Sequence, residues 1–436
     1  MFKRVSTAAV TASCLMSCLT TAAMAEIRTM VCYISGRQEV PANASLSQGC
    51  GRFVIDTDAN TVSYRITRSP FATAEVAAHI HGFSAPGVNS GVLHNLPAGE
   101  LKVGVWNYAE AQEAGILNGQ CYVNIHSTAF PGGEIRGQIT DAVAELDGGQ
   151  EVPANGSTAR GFGVVNINTT TNIAQIHVGL NGVVGEVAAH IHGVARQGVN
   201  GPVVFALPLG AVKTATWNYP EAVEAELLNG LLYFNVHTAA FPGGEIRGQI
   251  ISSVNVVDRL QEVPPSATSS TGCVLCGIDR ANNFLTYDLR INLVGSTQTA
   301  AHIHGFAPVG INAGVVHAIG VGNRVLGAWN FPAVALPNIG NDLTYVNVHS
   351  NVFPGGEIRG QLFFDPLPPP PVTCAWQTAG TCAADFDGDA DFDSDDVARF
   401  FTAFDTSENC ADADGDGDVD SDDVIEFFNK WESGSC

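Results

Sequence analysis

Three landmarks recur along this chain in step. Gln-Glu-Val-Pro stands at 38–41, 150–153 and 261–264, Ala-His-Ile-His-Gly at 78–82, 189–193 and 301–305, and Gly-Gly-Glu-Ile-Arg-Gly-Gln at 132–138, 243–249 and 355–361. Each series advances by 111 or 112 residues. Landmarks that move together over so long a period mark duplication of a whole domain, because solenoid repeats are several times shorter. The chain therefore divides into three copies of one unit, residues 26–141, 142–252 and 253–364.

Each unit reads as mainly β. Phe53-Val54-Ile55, Val164 to Ile167 and Leu285 to Ile291 are short apolar or alternating runs bounded by Asn, Asp, Thr or Gly, the pattern of strands between turns. Tyr122 to His126 alternates too, and Tyr233 to His237 and Tyr345 to His349 match it. Glu221 to Leu228 carries good helix formers, stopped by Asn229-Gly230. Pro332 and Pro337 interrupt the same stretch of the third unit, which predicts a shortened or missing helix there. Short strands and many glycines over this length predict three tandem Greek-key β-sandwiches.

The ends of the chain read differently. Residues 1–25 have a basic start, an apolar stretch and Ala23-Met24-Ala25, the pattern of a signal peptide cleaved before Glu26. Leu15-Met16-Ser17-Cys18 is a weaker match to a lipoprotein cleavage box. No later apolar run is long enough to span a bilayer. The expected location is secreted, extracellular or at the cell surface, where disulfides form among the nine cysteines beyond the leader. Net charge is −23, and residues 374–436 hold eighteen acidic side chains against Arg399 and Lys430. The acidity therefore belongs to the tail, and nucleic acid is excluded as a partner.

Eleven of the twelve histidines fall at the repeat landmarks, and only His177 does not. The first unit has His79, His81, His94 and His126, and the third has His302, His304, His317 and His349. The second has His190, His192 and His237, with Phe205 in the fourth place. A His-x-His pair on a strand puts both rings on one face, and imidazole suits copper and zinc. The residues leave two readings open, a metal site in each unit or rings that fasten loops to backbone carbonyls. Glu134 and Arg136, two apart on a strand, are placed to pair with each other, and Trp106, Trp217 and Trp329 read as core anchors.

The His-Ile-His-Gly stretch, the tryptophans and Tyr-x-Asn-x-His followed by Phe-Pro-Gly-Gly-Glu-Ile-Arg-Gly-Gln resemble the CHRD domain, the repeat of chordin, over roughly residues 27–364. That resemblance implies an extracellular module. The histidine pattern is also similar to the copper site of superoxide dismutases. By that likeness the four histidines of the first unit are copper ligands, and Arg136 stands where those enzymes keep an anion-steering arginine. The zinc-site residues and the usual disulfide partner of those enzymes have no counterpart here.

Asp365 to Pro371 is a proline-rich linker, stiff by composition and assigned to residues 365–373. Residues 374–436 then carry two twelve-residue loops. Calcium takes oxygens from positions 1, 3, 5, 7, 9 and 12 of such loops. Those positions are Asp385, Asp387, Asp389, Asp391, Asp393 and Asp396, then Asp412, Asp414, Asp416, Asp418, Asp420 and Asp423, with the seventh residue giving its carbonyl. Gly417 supplies the sharp turn at position 6, where the first loop has Ala390 and is expected to bind more weakly. Val397, Phe400, Phe401 and Phe404 follow at helical spacing, and Val424, Phe427, Phe428 and Trp431 repeat it. The expectation is a small α-helical EF-hand-like module with two aromatic faces packed together.

The module resembles a dockerin. Ser394-Asp395 and Ser421-Asp422 occupy its partner-recognition positions, where the aspartates depart from the family's pattern. The likeness implies docking to a cohesin-like or other surface protein. Three functions follow from the sequence: a non-catalytic display and surface-assembly protein, a copper-dependent redox protein of the dismutase type, and an accessory protein for carbohydrate.

Overall fold

The computed structural model describes residues 27–364 together with Phe400, Val424, Phe427 and Phe428. The leader, the linker and both acidic loops, with their expected calcium ligands and the four recognition residues, lie outside the described residues.

The first repeat contains β1 (Ile27–Ser35), β2 (Gln48–Asp56), β3 (Thr61–Arg68), β4 (Glu75–His81), β5 (Val92–Asn95), β6 (Leu101–Asn107), β7 (Tyr122–Ser127) and β8 (Ile135–Gln138). They form one antiparallel sheet in the order β5-β4-β7-β8-β1-β2-β3-β6. β8 and β1 share the single register pair Ser35 and Arg136. There the sheet folds over, and its two four-stranded halves face each other. Ile80 and Ile125 from one half meet Phe53, Ile66 and Trp106 from the other in a common core. The second repeat begins with β9 (Ala142–Asp147), β10 (Arg160–Asn168) and β11 (Ile173–Asn181), the third with β17 (Ser253–Asp258), β18 (Thr271–Asp279) and β19 (Phe284–Asn292), and both reproduce the same strand order.

A helix precedes β7 in every repeat: α1 (Glu113–Leu117), α2 (Glu224–Leu228) and α3 (Leu336–Gly340). All three have five residues, so the expected loss of the third does not occur. Pro337 sits in its first turn, where the missing N–H has no intrahelical partner to lose.

The repeats close on one another about a pseudo-threefold axis. Val31, Val143 and Val254 hold equivalent places in β1, β9 and β17, and all enter one further apolar cluster. Cys50 of the first repeat and Cys273 of the third are joined by a disulfide in that cluster. Phe162 fills the corresponding place in the second repeat. Ion pairs also cross between repeats, at Arg37–Glu145, Arg65–Asp258 and Arg324–Asp147. β1 is buried on both faces because one serves its own repeat and the other the shared axis. In the C-terminal segment the Phe400 and Phe427 rings stack with centroids 4.1 Å apart. Among the described residues no helix is long and apolar enough to cross a membrane.

Candidate metal centre

Alternation along β4 buries Ile80 and turns His79 and His81 to the outer face. β7 lies beside it with Asn124 opposite His79 and Tyr122 opposite His81. His126, two residues further, is therefore diagonal to His79. The ring centroids of His79 lie 5.4 Å from His81 and 5.2 Å from His126. One ring nitrogen from each of the three falls within 4.8 Å of the others. His190, His192 and His237 repeat the cluster, as do His302, His304 and His349.

Backbone carbonyls decide which nitrogens are free. His81 donates through Nδ1 to the Ser90 carbonyl at 2.9 Å, and His126 through Nδ1 to the Pro131 carbonyl at 3.1 Å. Both lone pairs are then left on Nε2. The same bonds run from His192 to Gly201, His304 to Ala313, His237 to Pro242 and His349 to Pro354. In the second and third repeats the inward nitrogens of all three rings are buried without a partner. In the first, Nδ1 of His79 faces Nε2 of His126 at 3.4 Å. Burial, then the neighbouring rings, lowers the pKa of His79, while burial and then His126 and Arg136 outweigh the Ser90 bond at His81. Convergent ring nitrogens, with two of the three rings oriented through their other nitrogen, are a donor set that transition metals take. The carbonyl bonds expected of histidines that fasten loops are present, and they also orient the rings.

The fourth histidine lies elsewhere. His94 pairs with Ile80 across β4 and β5 and so shares its inward face, opposite to His79 and His81. It lies 3.3 Å from the Tyr64 hydroxyl and stacks on Trp106. His317 repeats this with Tyr287 and Trp329. Phe205 stacks on Trp217 in the same way, so the second repeat lacks no member of the outer cluster.

Arg136 does not reach solvent. It is 1 % exposed and lies over the Tyr122 ring at 3.5 Å, which rules out steering of anions from the surface. The other face of Tyr122 stacks on His81 at 5.0 Å, giving the order His81, Tyr122, Arg136 across three strands. Arg136 also donates to Asn89 Oδ1 and the Val88 carbonyl, both at 2.9 Å, and so pins the loop that carries Ser90. The expected pairing with Glu134 is absent, since Glu134 accepts from Ser45 instead. Tyr122 and Asn89 were missed as site residues, although Tyr at 122, 233 and 345 and Asn at 89, 200 and 312 recur in step.

The remaining landmarks clasp one another beneath this site. Gln38 donates to the Tyr33 carbonyl and accepts from the Gln138 backbone. Glu39 reaches Asn124 and the turn at Gly133, where φ is +136° and an added Cβ would meet both side chains at 2.6 Å. Only glycine fits there.

Three folded-over sheets, each with a tri-histidine cluster on its outer face, define an array of candidate metal-binding β-domains. The CHRD domain matches residues 32–139, 142–250 and 255–362, and the chain belongs to that family. No curated protein and no solved structure matches it.

Proposed function

We propose that each repeat holds one copper or zinc ion through His79, His81 and His126, through His190, His192 and His237, and through His302, His304 and His349. The chain acts outside the cell as a non-catalytic display and assembly protein. Its acidic C-terminal module attaches it to a partner through calcium. The observation that carries the metal reading is the threefold recurrence of three convergent ring nitrogens, with two of the rings oriented by carbonyl bonds. Three imidazoles with no carboxylate favour copper or zinc over calcium or magnesium. A metal so held supplies Lewis acidity or, as copper, electron exchange.

The full chain, loaded with copper or zinc and desalted, is expected to retain three ions by native mass spectrometry. His81→Ala should leave two with unchanged circular dichroism. Retention of no stoichiometric ion, or of three by the variant, would sink the reading. A copper redox function of the dismutase type is the second reading, favoured by three protein donors that leave a coordination position open. It requires superoxide turnover by the copper-loaded chain that is lost in His81/His192/His304→Ala.

A further inference from the structure

The three junctions around the axis are built on equivalent positions but from different residues. Each sets the middle of the third strand of one repeat against the end of the first strand of another. Between the first and third repeats, Arg65 of β3 meets Asp258 of β17 at 2.6 Å. Between the third and second, Asp288 of β19 holds Arg324, which reaches Asp147 of β9 at 2.9 Å. Between the second and first, the same positions carry His177 of β11 and Ser35 of β1. These two positions offer no opposite charges, and the ion pair that crosses this junction is Arg37–Glu145.

Space opens here, as it also does, to about 780 Å³, near Arg28, Ser252 and Phe364, where residues of all three repeats meet. A cavity of about 460 Å³ lies between the first two repeats, and a second of about 540 Å³ adjoins it. Ala85, Pro86, His177 and Thr214 line both. Between the first and third repeats a space of about 20 Å³ is enclosed by Tyr33, Arg68, Thr271 and Arg290. Volumes of several hundred Å³ are those of small-molecule sites.

His177 is 7 % exposed, and its Nδ1 is buried without a partner. A buried polar atom left unsatisfied costs free energy that a bound molecule can recover. Nε of Arg37, on the wall of the second cavity, is a further buried donor without a partner. The charge of Arg37 is already met by Glu145 at 2.5 Å, so it offers no free cation to an anion. Glu39, the acidic residue of that wall, faces Arg136 and Asn124. The first cavity mixes Pro86, Val164 and Ile176 with Asn118, Gln120 and Thr140, whereas the second is largely apolar, with Pro86, Phe162 and Leu180. Burial, then the charge of Arg136, lowers the pKa of the His177 imidazole. A hydroxyl both donates and accepts, so it satisfies that ring in either tautomer.

We propose that the cleft between the first and second repeats is a binding site for a small neutral ring compound bearing a hydroxyl group, held by His177 and stacked among Pro86, Phe162 and Ile176. It is separate from the outer histidine clusters. His177, the one histidine outside the repeat pattern, is its polar anchor.

Phenol is the probe, titrated into the full chain in a chelator so that the outer histidines stay metal-free. Saturable 1:1 binding by calorimetry is expected, with movement of the His177 ring resonances in NMR. His177→Phe, which keeps the ring and removes the hydrogen bond, should weaken phenol by about tenfold or more. Ala215→Trp should fill the cavity and abolish binding, with folding checked by circular dichroism. Benzoate and benzylamine, of the same size but charged, should bind at least about tenfold more weakly. Non-saturable phenol, wild-type binding by folded His177→Phe, or benzoate or benzylamine binding as tightly as phenol would each overturn the proposal.

Discussion

Replacing Glu39 by Gln should stabilise the protein at alkaline pH and leave it unchanged in acid. Glu39 is 6 % exposed and lies under the histidine cluster. One of its oxygens and Oδ1 of Asn124 are buried acceptors without a donor, and both point at the Cα of Gly133. Burial pushes the carboxyl from the ordinary 4.5 up to about 7, against the opposing pull of Arg136 and the Asn124 hydrogen bond. Because the folded form holds its proton more tightly than the unfolded chain, this contribution is fully present below pH 4.5. It is lost as pH rises through 7. At about 1.4 kcal/mol per pKa unit the loss is roughly 3 kcal/mol. Glutamine keeps the shape and supplies the donor at every pH.

Urea unfolding of wild type and Glu39→Gln in chelator, from pH 5 to 8.5, isolates the effect. Histidines with lowered pKa values, such as His94, act the other way and lose their contribution as pH falls below 6.5, but they are common to both proteins and cancel. The variant should exceed wild type by no more than about 1 kcal/mol at pH 5 and by roughly 3 kcal/mol at pH 8.5. Equal stability across the range would refute the buried, proton-holding carboxyl. Glu151 and Glu262 carry the same shift and predict the same result in their own repeats.

Other outcomes follow from the geometry. Reducing Cys50–Cys273, which closes 223 residues, should cost about 5 kcal/mol of chain-entropy stabilisation in urea unfolding, and a loss below about 1 kcal/mol would show that the junction does not depend on it. Tyr122→Leu removes the ring on which His81 stacks, so calorimetry should record metal affinity in the first repeat lowered about tenfold at unchanged stoichiometry. His94→Phe copies the residue already on Trp217 in the second repeat. It should change stability by no more than about 1 kcal/mol and release no metal in mass spectrometry.

The fold inside each repeat was legible because its landmarks are the residues that lock it. Gln38 bonds Gln138, Glu39 reaches Asn124 and Gly133, and Arg136 holds Asn89, so their spacing records the architecture. The outer pair His79 and His81 followed from strand alternation alone. His94 did not, because its face depends on the pairing of β5 with β4, where the register shifts between Ile80 and His81. A one-residue slip moves a side chain to the other face, and spacing along the chain does not report it. The inter-repeat disulfide was equally hidden, since connectivity cannot be read from cysteine positions. A signal for the closed trimer did exist. Met30-Val31-Cys32-Tyr33-Ile34 is apolar without interruption, the mark of a strand covered on both faces.

Divergence at the junctions explains how one chain closes in a single cyclic order. Within the repeats the locking residues are the same three times over, so they cannot tell one neighbour from another. The junction positions can. Arg65 finds an acid in Asp258 where its counterparts in the other repeats are His177 and Asp288, and Asp288 needs Arg324 beside it to face Asp147. In the opposite order Asp288 and Arg324 would face Ser35 and lose the contact with Asp147. Ion pairs cross all three junctions, at Arg65–Asp258, Arg324–Asp147 and Arg37–Glu145, and the disulfide secures the first of them covalently. At the third junction the place of Arg65 and Asp288 is taken by His177, which lines the cleft.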